Sequence, residues 1–249
     1  MIELRIICFC HTDYSQGWEP YFDYLENPTI PYKKLIAVNN IKQAEDFFNK
    51  HPRFTYDKII EYDETIGIPK RLSIILNDIR EEFVLYVSDN NFITECNPEK
   101  INVILQWLHD KNYDSIQFVG TTLEPDHFEV VKDDIIVKPC YTFYPFSFLP
   151  SIWRTSSILL LMNTFKDSSY RSFEFDVQPF IRQYMKCFRP ACIGKVKINC
   201  DNKMELYFNF MHVLGSRKWV KDIYMQDYEE EFNTMIKKYN IDLSILGRH

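Results

Sequence analysis

The segment from Pro69 to Phe92 restricts the fold most, because it predicts a helix that leads directly into a buried strand. Apolar residues recur in it at i, i+3, i+4 and i+7, the spacing of one helix face. These residues are Leu72, Ile75, Leu76 and Ile79. The run FVLYV at 83–87 is apolar throughout, which is typical of a strand covered on both sides. The polar run SDNN at 88–91 then falls at the carboxyl end of that strand, where open α/β sheets bind ligands.

Predicted strands and helices alternate on both sides of this segment. The predicted strands are 4–10, 34–38, 57–62 and 114–119, and the predicted helices are 21–25, 41–50 and 98–110, the last with Asn97 as its cap. This alternation builds a mostly parallel, Rossmann-like sheet with helices on its faces. Because polar residues follow the first three strands, we expect those strand ends to border one crevice.

The second half of the chain changes pattern. A two-residue periodicity at 128–131 and 135–137 predicts a small antiparallel hairpin. A helix is predicted at 158–165 with Thr155 or Ser156 as its cap, and another opens at 173–176, where acids suit the positive end of a helix dipole. Strands near 196–199 and 206–213 and a final helix at 227–239 complete the predicted α/β fold of one domain.

Composition excludes several classes of function. The formal net charge is -6 and no long run of one sign occurs, so a broad basic face for nucleic acid is not expected. The N-terminus carries Glu3 and Arg5 and does not resemble a signal peptide, and the apolar run 158–162 is far shorter than the ~20 residues of a membrane helix. Seven cysteines, an odd number, favour reduced thiols and a cytoplasmic location. The glycine-rich phosphate loops of NTPases and dinucleotide enzymes are absent from the sequence.

Four sequence blocks, in order, resemble a family of glycosyltransferase-like proteins with the GT-A fold, common in capsule and surface-glycan gene clusters. The blocks are EEFVLYVSDNNFI at 81–93, FLPSIWRTSSILLLM at 148–162, SFEFD at 172–176 and LGSRKW at 214–219. The family usually has an Asp-Asp-Phe-Phe-like strand end, a Gln-Pro-x-Ile-Trp-Arg block and a Trp-Glu-Phe-Glu block. The resemblance spans roughly residues 1–225. Asp89 matches the first acid of the strand-end motif, whereas Asn90, Asn91 and Leu149 depart from the family pattern.

The resemblance implies a nucleotide-sugar-binding half at 1–120, an acceptor-binding half at 121–225 and a C-terminal helix at 226–249. It implies a glycosyltransferase that moves a sugar from a nucleotide-sugar donor to a glycan hydroxyl, with inversion. Because amides stand at 90 and 91, a catalytically inactive relative that binds a glycan or nucleotide sugar, or acts as a structural partner, is the alternative. A nucleotide-processing hydrolase is a third reading.

The donor and metal residues follow from the same resemblance. A departing nucleoside diphosphate needs a divalent cation or basic side chains to stabilise its charge, and Mn²⁺ or Mg²⁺ prefers carboxylate oxygens. The implied metal ligands are Asp89, Asn91 and His212, and Arg217 and Lys218 are expected to close over the diphosphate. The alternatives are a polar strand cap for Asp89, an ordinary strand histidine for His212 and a solvated loop for the two basic residues.

Donor contacts are also expected from residues at the first three strand ends: His11, Asp13, Asn39 and Asp63. Trp153 is expected to stack on a sugar and Arg154 to bind phosphate, the alternative being a core tryptophan with a structural arginine. Inverting transfer needs a carboxylate base, and the candidates are Glu174 and Asp176, with Asp176 ranked first. The hypothesis therefore requires Asp89 and Asp176 to face each other across one cleft.

Overall fold

The computed structural model describes residues 2–26, 31–118, 121–122, 129–132, 135–140, 145–192, 208–212, 214–215, 218–219 and 229–242. The strands are β1 Leu4–Phe9, β2 Lys33–Val38, β3 Lys58–Glu61, β4 Phe83–Ser88, β5 Asn91–Cys96, β6 Ser115–Gln117, β7 Thr121–Thr122, β8 Glu129–Lys132, β9 Ile135–Pro139, β10 Ser151–Arg154, β11 Cys187–Cys192, β12 Phe208–His212, β13 Leu214–Gly215 and β14 Lys218–Trp219. The helices are α1 Trp18–Glu26, α2 Ile41–Lys50, α3 Ile68–Leu76, α4 Pro98–Asp110, α5 Thr155–Thr164, α6 Tyr170–Tyr184 and α7 Glu229–Lys238, with a 3-10 helix at Thr12–Gly17.

The main sheet has the strand order β3-β2-β1-β4-β10-β6-β11-β9-β8, and β7 pairs with β11. The first four strands in this order are parallel, as the alternation of strands and helices predicts. β10 runs antiparallel between β4 and β6, and β8 and β9 form the predicted antiparallel hairpin. The predicted α/β class is confirmed, with a largely parallel sheet flanked by helices.

Two hydrophobic layers cover the two faces of this sheet. In β4, Phe83, Leu85 and Val87 pack against α1, α2 and α4, whereas Val84 and Tyr86 pack against α3, α5 and α6. Every residue from 83 to 87 is buried, because successive side chains of a strand point to opposite faces and both faces are covered. Burying one such side chain contributes about 1.5–3 kcal/mol to the stability of the fold. Since five consecutive residues of β4 are buried, this strand lies at the centre of the core.

Six strands of the described residues were not predicted, and three of them, β7, β13 and β14, have two residues each. β5 follows a turn at 89–90 and pairs antiparallel with β12 in a separate sheet. β10 (SIWR) and β11 (CFRPAC) lack an alternation of apolar and polar residues, and both obtain their partners from distant segments. The predicted strand at 196–199 lies outside the described residues, whereas β12 and α7 agree with the predictions at 206–213 and 227–239.

Two predicted helix starts are wrong. α5 has Arg154 at its cap position without a side-chain cap bond, and the Thr155 hydroxyl donates to the Glu81 carbonyl at 2.7 Å. α6 begins at Tyr170, where the side chain of Ser169 accepts the Ser172 N–H. Its first turn contains no acid, so the helix dipole does not explain the acidic residues at 174 and 176.

Within the described ranges, no helix combines the length and the apolar content that a membrane crossing requires.

Candidate functional site

A cleft of about 990 Å³ lies at the carboxyl ends of β1, β2 and β4, and we name it the strand-end cleft. His11 and Asp13 border it after β1, Asn39 after β2, and Asp89 after β4. Parallel strands place their carboxyl ends at the same sheet edge, so these polar residues, distant in sequence, come together. Glu174 of α6 also borders the cleft, which therefore joins the two halves of the chain.

Asp89 is held firmly where it borders the strand-end cleft. Its side chain is 4% exposed, and its Oδ2 accepts the backbone N–H of His11 at 2.8 Å and the indole N–H of Trp18 at 3.1 Å. Burial raises the pKa of Asp89 to about 7, against the opposing effect of these two hydrogen bonds. A carboxyl that titrates near neutral pH inside a cleft is a typical feature of a functional site.

A hydrogen-bond network joins the ends of β1 and β2 to the loop after β3. The His11 Nδ1 accepts the Asp13 N–H at 3.1 Å, so the neutral ring carries its hydrogen on Nε2, which lies 3.1 Å from Glu64 Oε2. Asn39 donates from Nδ2 to the same Glu64 oxygen and to Thr12 Oγ1, both at 3.0 Å, and accepts the Thr12 N–H at 2.9 Å. The network orients His11 and Asn39 at the border of the cleft.

The amides after Asp89 bond mainly to each other. Asn91 is 1% exposed and donates from Nδ2 to Ser88 Oγ and Asn90 Oδ1, both at 2.7 Å, while the Ser88 hydroxyl also donates to Asn90 Oδ1. Asn90 Oδ1, an amide oxygen that could coordinate a hard cation beside the Asp89 carboxylate, therefore already accepts two hydrogen bonds. This network stabilises the turn from β4 into β5.

The predicted metal ligands were tested against this geometry. The backbone of His212 pairs with that of Asn91 in the β5–β12 ladder, but its side chain lies outside the described part of the chain. Among the described residues, no three or more His, Cys, Asp or Glu side chains are grouped to hold a metal ion. The described residues thus do not form a metal centre by themselves, and the set Asp89, Asn91 and His212 stays a prediction.

The two candidate bases lie on different faces of α6. Glu174 borders the strand-end cleft, and its Oε1 accepts the Phe148 N–H at 2.9 Å. Asp176 is exposed, does not border the cleft, and accepts the Ser168 hydroxyl at 2.8 Å. Two residues along a helix is a rotation of about 200°, so the two carboxylates cannot face the same cleft. The expectation that Asp89 and Asp176 share one cleft is corrected: Glu174, not Asp176, lines the cleft together with Asp89.

The donor roles predicted for Trp153 and Arg154 are corrected. Trp153 has no exposed surface, and its indole N–H donates to Ser151 Oγ at 3.0 Å within the core. Arg154 pairs with Phe83 at the start of β4, the end opposite the cleft. Its guanidinium donates to Glu82 and lies 4.9 Å from the centre of the Phe83 ring. The alternative reading, a core tryptophan with a structural arginine, agrees with these contacts.

Three other predicted donor residues are not part of the described lining. Asp63 is exposed, and hydrogen bonds from the hydroxyl and N–H of Thr65 hold its pKa below the ordinary value; the neighbouring Glu64 borders the cleft instead. Arg217 lies outside the described residues. The backbone of Lys218 pairs with Gly215 in the β13–β14 ladder, and its side chain is not described.

The sequence interpretation missed Arg71, whose side chain borders the strand-end cleft. Its Nε donates to the Ile66 carbonyl at 2.7 Å, its guanidinium also donates to the Glu64 carbonyl, and it lies 5.2 Å from the centre of the Tyr62 ring. Among the described residues, Arg71 is the one lysine or arginine side chain that lines this cleft. A sequence signal existed, because a helix that follows a parallel strand begins at the carboxyl end of that strand, and Arg71 is in the first turn of α3.

No protein-family model and no curated protein matches this chain. Among solved structures, it is similar to residues 1-349 of TarS from S. aureus, with 14% identity, a TM-score of 0.49, and coverage of 78% of this chain and 59% of that one. It is also similar to the mannosyltransferase PcManGT from Pyrobaculum calidifontis, solved in complex with GDP-Man and Mn²⁺, with 10% identity and a TM-score of 0.46. That match covers 78% of this chain and 57% of PcManGT. A third similar structure is the 4-diphosphocytidyl-2C-methyl-D-erythritol synthase from Anaerococcus prevotii, with 12% identity and a TM-score of 0.47. That match covers 79% of this chain and 92% of the synthase. The chain spans less than two thirds of TarS and PcManGT, and each TM-score is below 0.5, so the function proposed below rests on the cleft itself.

Proposed function

We propose that this chain is a glycosyltransferase that moves a sugar from a nucleotide-sugar donor to a hydroxyl of a glycan acceptor, with inversion. One observation carries the proposal: a single cleft is bordered by Asp89 at the strand ends and by Glu174 from the second half of the chain. A two-substrate transfer needs such a cleft, because donor and acceptor must meet between a site for the departing diphosphate and a base. The cleft volume of about 990 Å³ suits two small ligands side by side.

The donor is assigned to the β1–β2 side of the cleft. His11, Asp13 and Asn39 offer hydrogen-bond donors and acceptors for the base and ribose of the nucleotide, in a network that is already ordered. Arg71 supplies positive charge toward the diphosphate. Mn²⁺ or Mg²⁺ bound by Asp89, Asn91 and His212 remains a prediction, and the roles proposed for Arg71 and the base do not depend on it.

Glu174 is the proposed base. Its Oε1 accepts the Phe148 N–H, while its Oε2 accepts no hydrogen bond from the described part of the chain and is available to an acceptor hydroxyl. As the acceptor oxygen bonds to the anomeric carbon, its proton passes to Glu174, and the bond from that carbon to the diphosphate oxygen breaks with its electron pair on the diphosphate. Attack opposite the leaving group inverts the anomeric configuration.

Binding and turnover of nucleotide sugars test this proposal. Calorimetry with UDP- and GDP-sugars, with and without Mn²⁺, identifies the donor, and release of the free nucleoside diphosphate measures turnover. We expect Glu174→Gln to keep donor affinity within about threefold while turnover falls by about 10²–10⁴. Asp176→Asn is the matched control, since it makes the same change on the opposite helix face, and it should keep wild-type turnover. Equal losses in both variants, or none in either, would remove Glu174 as the base.

A catalytically inactive sugar- or nucleotide-sugar-binding protein is the second candidate. The amides of Asn90 and Asn91, bonded to each other and to Ser88, favour it, because they leave Asp89 as the one acid at the strand end. Wild-type protein that binds a nucleotide sugar but neither releases the nucleotide nor transfers the sugar, with any acceptor glycoside tried, supports this second candidate.

A further inference from the structure

Tyr170, the first residue of α6, is a large aromatic side chain that stays half exposed while it borders the strand-end cleft. It is 54% exposed, whereas Phe9, Tyr86 and Phe148, which also line the cleft, are buried. The apolar ring therefore meets solvent inside a concave, largely polar cleft. An apolar surface in such a place is a common mark of a ligand-binding site.

The ring of Tyr170 is supported from behind. It stacks on Phe148 with ring centres 5.1 Å apart and an angle of 24° between the planes. Phe148 is 9% exposed and packs in turn against Phe146 at 5.1 Å and Phe173 at 5.6 Å. Since Phe148 covers one face of Tyr170 and is itself fixed in the core, the other face is a rigid, flat apolar surface.

The same Phe148 also fixes the position of Glu174. Its backbone N–H donates to Glu174 Oε1 at 2.9 Å, while its ring supports Tyr170. Tyr170 and Glu174 are four residues apart on α6, so they lie on one helix face, about one turn from each other. Burial and the nearby Glu174 carboxylate raise the pKa of Tyr170, which keeps its phenol protonated as a hydrogen-bond donor.

We propose that Tyr170 is the platform on which the acceptor sugar stacks, with one of its hydroxyls directed to Glu174. A pyranose ring has an apolar C–H face and a rim of hydroxyls, which matches a flat aromatic surface with a carboxylate one helical turn away. A nucleobase also stacks on aromatic rings, but the contacts with the nucleotide are assigned to His11 and Asn39 after β1 and β2. Tyr170 instead adjoins Glu174, the residue proposed to take the proton of the acceptor hydroxyl. This assignment rests on the proposed function and names its acceptor as a pyranoside.

Saturation-transfer difference NMR tests the platform directly. The probes are methyl β-D-glucopyranoside, methyl β-D-galactopyranoside and methyl α-D-mannopyranoside, each with protein that also holds UDP or GDP. We expect signals on the C–H protons of one ring face with wild-type protein and with Tyr170→Phe. Tyr170→Ala should weaken glycoside binding about 3- to 12-fold and reduce those signals to a similar extent, since an aromatic stacking contact has about that effect.

Phe175→Ala is the matched control, because Phe175 is an aromatic residue on the same helix, 65% exposed and outside the cleft lining. It should leave the ring signals unchanged, and calorimetry with UDP and GDP should show that Tyr170→Ala still folds and binds as the wild type does. The platform is refuted if no glycoside gives ring signals with wild-type protein, if Tyr170→Ala leaves them unchanged, or if Phe175→Ala reduces them equally.

The two proposals fail in different ways. If nucleotide sugars bind and Glu174→Gln abolishes turnover, while Tyr170→Ala changes neither the glycoside signals nor the acceptor KM, only the platform is wrong. If glycosides bind through Tyr170 but no nucleotide sugar binds, the transferase proposal fails and a glycan-binding cleft remains.

Discussion

Replacing the buried carboxyl of Asp89 by an amide should change how the stability of the protein depends on pH. Asp89 is 4% exposed, and burial raises its pKa from 3.8 to about 7. The folded protein therefore keeps the Asp89 proton over a pH range in which the unfolded chain has lost it. Because the folded state binds more protons there, the free energy of unfolding falls as pH rises from about 4 to about 7.

The size of the effect follows from the pKa difference. A difference of about 3 corresponds to roughly 4 kcal/mol, which is what ionising Asp89 in its buried place costs above pH 7. Asp89→Asn removes this cost, but the new amide N–H groups need partners, which offsets about 1–3 kcal/mol. The net expectation is a variant about 1–3 kcal/mol more stable than wild type at pH 8. Between pH 8 and pH 5 this advantage should shrink by about 3 kcal/mol, whatever the amide itself costs.

Urea unfolding followed by circular dichroism at pH 5, 6, 7 and 8 measures this difference. EDTA in the buffer keeps any divalent cation off the carboxyl group. Asp176→Asn is the control, because it exchanges an exposed carboxylate for an amide and should track wild type at each pH. If the profiles of wild type and Asp89→Asn run parallel from pH 5 to pH 8, Asp89 is ionised throughout, and its burial does not raise its pKa.

Three further substitutions test separate contacts. Arg154→Ala should lower the free energy of unfolding by about 2–4 kcal/mol, since it removes the guanidinium that donates to Glu82 and to the Leu108 carbonyl and leaves His109 as the remaining partner of Glu82. Nucleotide binding should stay unchanged in calorimetry, and weaker nucleotide binding would restore the predicted donor role of Arg154. Arg71→Ala should weaken UDP or GDP binding about tenfold in the same assay, and Lys70→Ala, an exposed neighbour, should not. Trp18→Phe removes one of two hydrogen-bond donors to Asp89, and it should lower the free energy of unfolding by about 1.5–3 kcal/mol at pH 8 and by less at pH 5. An equal loss at both pH values would show that only the packing of Trp18 matters.

Local patterns in the sequence were enough for the elements that carry the sheet. The spacing of Leu72, Ile75 and Leu76 predicted α3, and the apolar run 83–87 predicted β4, buried on both faces as observed. Asn97 caps α4 by accepting the Lys100 N–H, as the Asn-Pro pair predicted. These patterns succeed because helix and strand periodicities and caps depend on residues within four positions of each other.

The candidate site was predictable only in part. Polar residues after strands predicted that His11, Asp13, Asn39 and Asp89 meet at one cleft, because the carboxyl ends of parallel strands share a sheet edge. The sequence blocks around Trp153 did not predict its place correctly, since it is enclosed by segments distant in the chain.

The sequence by itself determined the alternation of strands and helices and the set of polar strand ends, because both depend on residues that are close together in the sequence. Only the tertiary structure decided which face of α6 meets the cleft, and hence that Glu174 and Tyr170 border it while Asp176 faces away. The physical reason is that a helix has several faces of mixed character. The packing of Phe173 and Val177 against the sheet, through long-range contacts, fixes its rotation.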